Sequence, residues 1–334
     1  MRTALITGSN GQDGSYLTEH LLESGYRVFC GTRRFGWQTW NEKKRNPNIE
    51  YVFCDVRDEV ALASAIKKAW PDEIYNFAGQ VYVPISWEQP AGTFDINTSG
   101  LARILKALEQ TKKDTKVYQA SSSEMFGNHE GACTDETPMS PTSPYGVSKL
   151  AAHRLVGLYR DRGLFVVGGI LFNHESPRRG HEMVTRKIVR RCAEWALGSK
   201  ENLFLGNMLS RRDWGFAGEY VKAMHLMLQN DKARDYVIGT GESHTVAEFL
   251  DVARVEMGID KSFAEEHTTC DPRLSRTQEI YDMRADNSKA QKYLGWGPHT
   301  NFRELVRLMV WAEFNNLKDM VKEEATWAKT SYNR

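Results

Sequence analysis

Between Val117 and Lys149 the chain reads V-Y-Q-A-S-S-S-E-M-F-G, then a polar loop, then S-P-Y-G-V-S-K. Four groups of different chemistry stand in that span: the hydroxyl of Ser122, the carboxyl of Glu124, the phenol of Tyr145 and the ammonium of Lys149. Tyr145 and Lys149 are four residues apart, so a helix places them on one face. An ammonium beside a phenol favours the ionised form and draws its pKa down from about 10. The phenolate is then a base able to take a proton from a hydroxyl while a hydride leaves the same carbon. Taken alone, such a pair is more often a buried phenol and a solvated charge. The surrounding sequence decides between the two.

Short apolar runs alternate with helical patterns through the first half, the signature of a parallel α/β sheet. Residues Thr3–Thr7, Arg27–Cys30, Tyr51–Cys54, Glu73–Phe77, Val117–Ala120 and Phe165–Leu171 read as its strands. Gly8, Gly11 and Gly14 lie between the first two. Tyr16, Leu17, Leu21 and Leu22 then recur at helical spacing until Gly25. A strand, a glycine turn and a helix N-terminus form a site for a pyrophosphate, because free N–H groups and positive potential face the ligand. At the end of the second strand, Cys30-Gly31-Thr32-Arg33-Arg34 offers two guanidinium groups and no acid. Arginine suits the 2′-phosphate of NADP, whereas NAD sites usually carry an acid there. Asp55, after the third strand, is placed to reach the adenine. Asn76-Phe77-Ala78-Gly79, after the fourth, lets backbone run close to the cofactor.

The chain has 334 residues, 41% of them hydrophobic, and a formal net charge of +1. That is enough for one large core or two lobes, and nothing in it points to nucleic acid as a partner. The five cysteines are widely spaced without a C-x-x-C pair, and the nine histidines show no ligand spacing, so neither a disulfide framework nor a metal is expected. The chain opens directly on a strand-like run, and no apolar stretch reaches the ~20 residues of a membrane span. The reading is of a soluble cytoplasmic protein with no membrane partner.

The Gly-x-x-Gly-x-x-Gly turn with Tyr145-x-x-x-Lys149 resembles the extended short-chain dehydrogenase/reductases. Longer strings narrow the resemblance to one branch, the GDP-mannose 4,6-dehydratases: T-G-S-N-G-Q-D-G-S-Y-L at Thr7–Leu17, Y-Q-A-S-S-S-E-M-F-G at Tyr118–Gly127, G-I-L-F-N-H-E-S-P-R-R-G at Gly169–Gly180, V-T-R-K-I at Val184–Ile188 and R-D-W-G at Arg212–Gly215. The resemblance spans nearly the whole chain. It implies an α/β fold, a Rossmann-type doubly wound parallel sheet with a smaller, mainly helical C-terminal substrate-binding lobe. Residues 1–172 would bind NADP, with later segments returning to that domain, and residues 173–334 would bind the nucleotide sugar.

For function it implies a lyase that converts GDP-D-mannose to GDP-4-dehydro-6-deoxy-D-mannose and water. Tyr145 removes the C4 hydroxyl proton as NADP⁺ takes the C4 hydride, and Lys149 holds Tyr145 ionised. Glu124 takes the C5 proton and assists loss of the C6 hydroxyl, after which the hydride returns to C6. Ser122 hydrogen-bonds O4. Elimination needs the carboxyl that a plain reductase or epimerase does not. By the same resemblance Gly8, Asn10, Gly11, Gln12, Asp13, Gly14, Arg33, Asp55, Val56, Phe77, Ala78, Tyr145, Lys149, Asn173, His174 and Arg179 hold the cofactor. Ser86, Glu124, Asn173, Lys187, Arg212, Arg276 and Glu279 hold the substrate.

Six Lys or Arg and one acid, Glu182, lie between Arg178 and Arg191, and helical spacing gathers them into a stripe suited to a diphosphate. Trp311 and Phe314, at i and i+3, are expected to pack a helix. Val81 and Tyr82 depart from the relatives near the sugar, so the same dehydration of another GDP-sugar, such as GDP-manno-heptose, is an alternative. An NADP-dependent reductase or epimerase and a non-catalytic dinucleotide-binding regulator are further ones. Phe35–Asn41, F-G-W-Q-T-W-N, departs most. Relatives use that loop to build a tetramer, so the expectation is a homodimer or homotetramer.

Overall fold

The computed structural model describes residues 1–33, 48–274 and 278–331. Arg34, Phe35–Asn41 and Arg276 lie outside the described residues. Seven parallel strands form the central sheet: β1 (Thr3–Thr7), β2 (Arg27–Thr32), β3 (Ile49–Phe53), β4 (Glu73–Asn76), β5 (Lys116–Ser122), β6 (Val166–Leu171) and β7 (Tyr236–Ile238), in the order β7-β6-β5-β4-β1-β2-β3. β4 and β6 are buried along their whole length, which is why they read as continuous apolar runs without alternation. The sequence reading located the first six strands. β7 is only three residues long and comes from well beyond residue 172.

Helices α1 (Gln12–Glu23), α2 (Glu59–Ala69), α3 (Gly100–Gln110) and α4 (Pro144–Asp161) cover the sheet. One face buries Leu17, Leu21, Tyr75 and Tyr118, together with Tyr220, Met224 and Met227 from a later helix. The other buries Leu62, Ile66, Ile104, Leu105 and Val156. The C-terminal segments form a second core around Trp195, Trp214, Phe249 and Met309. It is built from α5 (Val184–Ala196), α7 (Val246–Glu256) and α8 (Phe302–Ser331), whereas α6 (Ala217–Gln229) packs on the sheet. Trp311 and Phe314 meet edge to face at 5.6 Å on α8.

Short strand pairs join the two cores. Asn173–Glu175 runs parallel to Trp214–Phe216, and Arg211–Arg212 runs antiparallel to His244–Thr245. Because every strand of the main sheet points the same way, the loops after β1, β4, β5 and β6 open on one edge. In such sheets ligands sit at that carboxyl edge, where neighbouring connections diverge.

Candidate active site

Ser122 is the last residue of β5 and caps a one-turn 3₁₀ helix, Ser123–Met125, by accepting the Glu124 N–H at 3.2 Å. That bond leaves the Ser122 proton uncommitted, and the hydroxyl favours the ionised form of the neighbouring Tyr145 phenol. Tyr145 stands in the first turn of α4, which Ser143 caps through the Gly146 N–H at 3.1 Å. Gly146 allows this approach: a Cβ there would lie 2.7 Å from the Glu124 carbonyl oxygen. The residue between the phenol and its lysine thus sets how near Tyr145 comes to Glu124. Ser122, Glu124, Tyr145 and Lys149 are between 6% and 8% exposed. All four line one cavity of about 330 Å³.

Lys149 stands near Tyr145 but points elsewhere. Its ammonium lies 5.8 Å from the centroid of the Tyr145 ring and donates to the Ala120 carbonyl at 2.9 Å, so its charge is aimed at the backbone of β5. Burial pushes the Tyr145 phenol up to about 12, outweighing the Ser122 hydrogen bond that favours the ionised form. Burial likewise pushes the Lys149 ammonium down to about 8. Proximity to Lys149 alone does not ionise this phenol.

The glycine turn fits a dinucleotide. Gly8 has φ +67°, and a Cβ there would lie 2.9 Å from Ala78 N and from Phe77 C, so β1 and β4 close together only over glycine. Gly11 caps α1 without any side-chain hydrogen bond to the first-turn N–H groups, and Gly14 is buried in that turn. Asn10 donates to Thr32 at 2.8 Å, tying the turn to the end of β2, and Ala78 N donates to Thr7 at 3.1 Å. Arg33 is exposed just beyond β2. Asp55 is occupied by Arg57, whose guanidinium is the main cause holding that carboxyl low. Val56 is buried in the core, and Phe77 lines the cavity.

The same cavity is lined by Asn173, Arg179, Lys187, Arg212 and Glu279. Arg212 donates to the Ile280 carbonyl at 2.7 Å and lies 3.7 Å from Glu279. The expected stripe of cations divides. Arg186 and Arg190 turn away to Glu313, at 2.6 and 3.0 Å, and Arg191 pairs with Glu194 and Glu201. Arg178 pairs with Glu19 at 2.9 Å. Only Arg179 and Lys187 of the six face the cavity. Ser86, expected beside the hexose, is fully buried and donates its hydroxyl to Val83 O at 2.6 Å. Val81, Tyr82, Val83 and Pro84 line that wall instead.

His174 and Asp13 line the cavity as a pair. Asp13 lies 2.9 Å from His174 Nε2, and Phe172 O lies 2.8 Å from His174 Nδ1. Burial opposes the charge on each, but the pairing wins, lowering the Asp13 pKa and raising that of His174.

Asn97 was not found from the sequence. Its amide donates to Gln80 O and to Ser148 at 3.0 Å and accepts from Gln80 N at 2.9 Å, fixing the wall loop to the Lys149 helix. It sits in a π-helical turn, Asp95–Ser99. A lone asparagine in I-N-T-S offers no spacing signal, although such turns gather at functional sites.

The fold is that of the short-chain dehydrogenase/reductase epimerases and dehydratases. The solved structure of dTDP-glucose 4,6-dehydratase from Streptomyces venezuelae superposes with a TM-score of 0.84, covering 95% of this chain and 98% of that one at 23% identity. The chain belongs to the GDP-mannose 4,6-dehydratase family, whose model matches residues 5–309. GDP-mannose 4,6 dehydratase 1 of Arabidopsis thaliana is 43% identical over 99% of this chain and 94% of its own length. GDP-mannose 4,6 dehydratase of Homo sapiens is 42% identical over 93% of this chain and 91% of its own.

Proposed function

We propose that this chain is an NADP-dependent GDP-mannose 4,6-dehydratase. The observation that carries the reading is one cavity lined both by Ser122, Glu124, Tyr145 and Lys149 and by Lys187, Arg212 and Glu279. Family membership supplies the substrate class. The nicotinamide, when bound, supplies reversible hydride transfer. Gly8, Gly11, Gly14, Asn10 and the first turn of α1 hold its pyrophosphate, and Arg33 favours a 2′-phosphate over a bare ribose.

Lys187 and Arg212 fix the diphosphate, and Glu279 accepts hydrogen bonds from the nucleoside ribose. The burial that keeps the Tyr145 phenol neutral would be opposed by the positive charge of a bound oxidised nicotinamide. Once ionised, Tyr145 takes the C4 hydroxyl proton while Ser122 turns its hydroxyl to O4. The resulting ketone acidifies C5, and Glu124 takes the C5 proton. The protonated carboxyl then delivers it to the leaving C6 hydroxyl. Return of the hydride to C6 would be matched by return of the Tyr145 proton to C5, so tyrosine, carboxyl and cofactor all end as they began and water is the only by-product.

A cytoplasmic homodimer or homotetramer belongs to the same reading. All five cysteines are free, and no helix among the described residues is long and apolar enough to cross a membrane. Val147 and Leu158 leave apolar side chains exposed on α4 for a subunit contact.

Mass spectrometry of GDP-mannose incubated with the protein and catalytic NADP⁺ tests the proposal. The expected product is lighter by one water, with no net NADPH. Unchanged GDP-mannose, or NADPH accumulating in step with product, would overturn it.

A further inference from the structure

The two longest family strings, one at the start of α1 and one after β6, meet side chain to side chain. Gln12 donates through Nε2 to the His174 carbonyl at 3.0 Å and accepts from Ser176 Oγ at 2.8 Å. Asp13 accepts from His174 Nε2 at 2.9 Å. Since Phe172 O, at 2.8 Å, only accepts, Nδ1 also carries a proton, and the ring is an imidazolium facing a carboxylate. One turn further on, Arg178 donates to Ser15 at 3.1 Å and to both oxygens of Glu19 at 2.9 Å, with its guanidinium 3.9 Å over the Tyr16 ring. Gln12, Ser15, Tyr16 and Glu19 follow the i, i+3, i+4, i+7 spacing of one helix face, so that face is committed to this segment.

The segment it grips is a lining element. Asn173, His174 and Glu175 all face the cavity, and their strand pairs in parallel with Trp214–Phe216, two residues beyond Arg212. The gripped helix ends at the glycine turn. Movement at either end is therefore passed to the other through directed, partly charged hydrogen bonds. We infer that Gln12, Asp13, His174 and Ser176 are positioning residues that make dinucleotide binding at the α1 N-terminus and nucleotide-diphosphate binding in the cavity reinforce one another. This rests on the functional reading above, which supplies the two ligands.

The test uses the full chain with NADPH and GDP. GDP lacks the hexose, which is the part that would touch the nicotinamide, so any coupling with it passes through protein. NADPH affinity is titrated by fluorescence with and without saturating GDP. In the wild type GDP tightens NADPH roughly fivefold or more, within the usual range for coupled sites. His174→Gln brings that ratio close to one, and so does Gln12→Ala, which removes no charge and serves if His174→Gln does not fold. A wild-type ratio of one, or a full ratio retained in Gln12→Ala, would overturn the inference while leaving the enzyme reading intact. A wild-type chain that binds neither ligand would remove both.

Discussion

Two groups of residues that line the cavity are built by opposite strategies. In the reacting group, four polar side chains come from one short stretch of chain, are nearly buried, and are fixed by backbone: Glu124 N on Ser122, and Lys149 on the Ala120 carbonyl. In the group proposed for the nucleotide, Asn173, Lys187, Arg212 and Glu279 arrive from several segments, and the charges nearby are mostly spent on one another. The difference follows from what each group must do. Proton transfer needs donor and acceptor held within hydrogen-bond reach. A diphosphate needs only a few uncommitted cations, because charge attraction falls off slowly with distance.

The largest test of this contrast is Tyr145→Phe. It keeps the ring and removes the base, so turnover should fall by about 10⁴-fold and the transient NADPH absorbance should vanish. A normal transient would assign the C4 proton to another group. Glu124→Gln comes next. It should lower dehydration by about 10²–10³-fold while oxidation at C4 still proceeds, giving a transient that stalls, read by stopped-flow absorbance with NADP⁺ present. Turnover at the wild-type rate would remove the carboxyl from the mechanism.

On the other side of this contrast, neighbouring cations on α5 should behave differently. Lys187 is half-buried, lines the cavity and forms no ion pair among the described residues. Lys187→Ala should raise KM for the GDP-sugar about tenfold with the melting temperature unchanged. Arg186 is 4% exposed and pairs with Glu313 at 2.6 Å. Arg186→Met should cost about 3 kcal/mol of stability, measured by denaturant unfolding, and leave KM near the wild-type value. If both variants changed KM alike, the division of the stripe would be wrong.

This contrast also explains what was legible in the sequence. The reacting group could be read because its members are neighbours: Ser122 and Glu124 share a turn, and Tyr145 and Lys149 share a helix face. Strands β1 to β6 were visible as apolar runs between glycine and helical patterns, whereas β7, with three residues, is too short to carry a pattern. The stripe on α5 was visible as composition, but its division was not. Glu313, which claims Arg186 and Arg190, lies on the last helix, and only the folded chain shows which face of α5 meets it. The placement of Ser86 was hidden for a similar reason. A serine one turn into a short helix satisfies itself on its own backbone, at Val83 O. Spacing brought Lys149 near Tyr145, but the direction of the ammonium was set by a carbonyl on another element.

Its burial makes Lys149 costly to the fold. Its pKa falls from 10.5 in an exposed lysine to about 8 here because burial disfavours the charged form. Between those values the unfolded chain holds a proton that the folded one has lost, so stability rises with pH across that window. Below about pH 8 the folded protein carries the full cost of a buried ammonium. Lys149→Met should therefore be more stable than wild type at pH 7 by about 1–3 kcal/mol, with the gap narrowing as the pH approaches 10. The Ala120 carbonyl keeps a second donor, Gln119 Nε2 at 3.0 Å, so the substitution leaves no buried acceptor unpaired. Denaturant unfolding at pH 7 and pH 10 measures both quantities. A variant less stable at pH 7, or a gap that widens with pH, would mean that the ammonium stabilises the fold. The reacting group would then have been built without the strain that this arrangement implies.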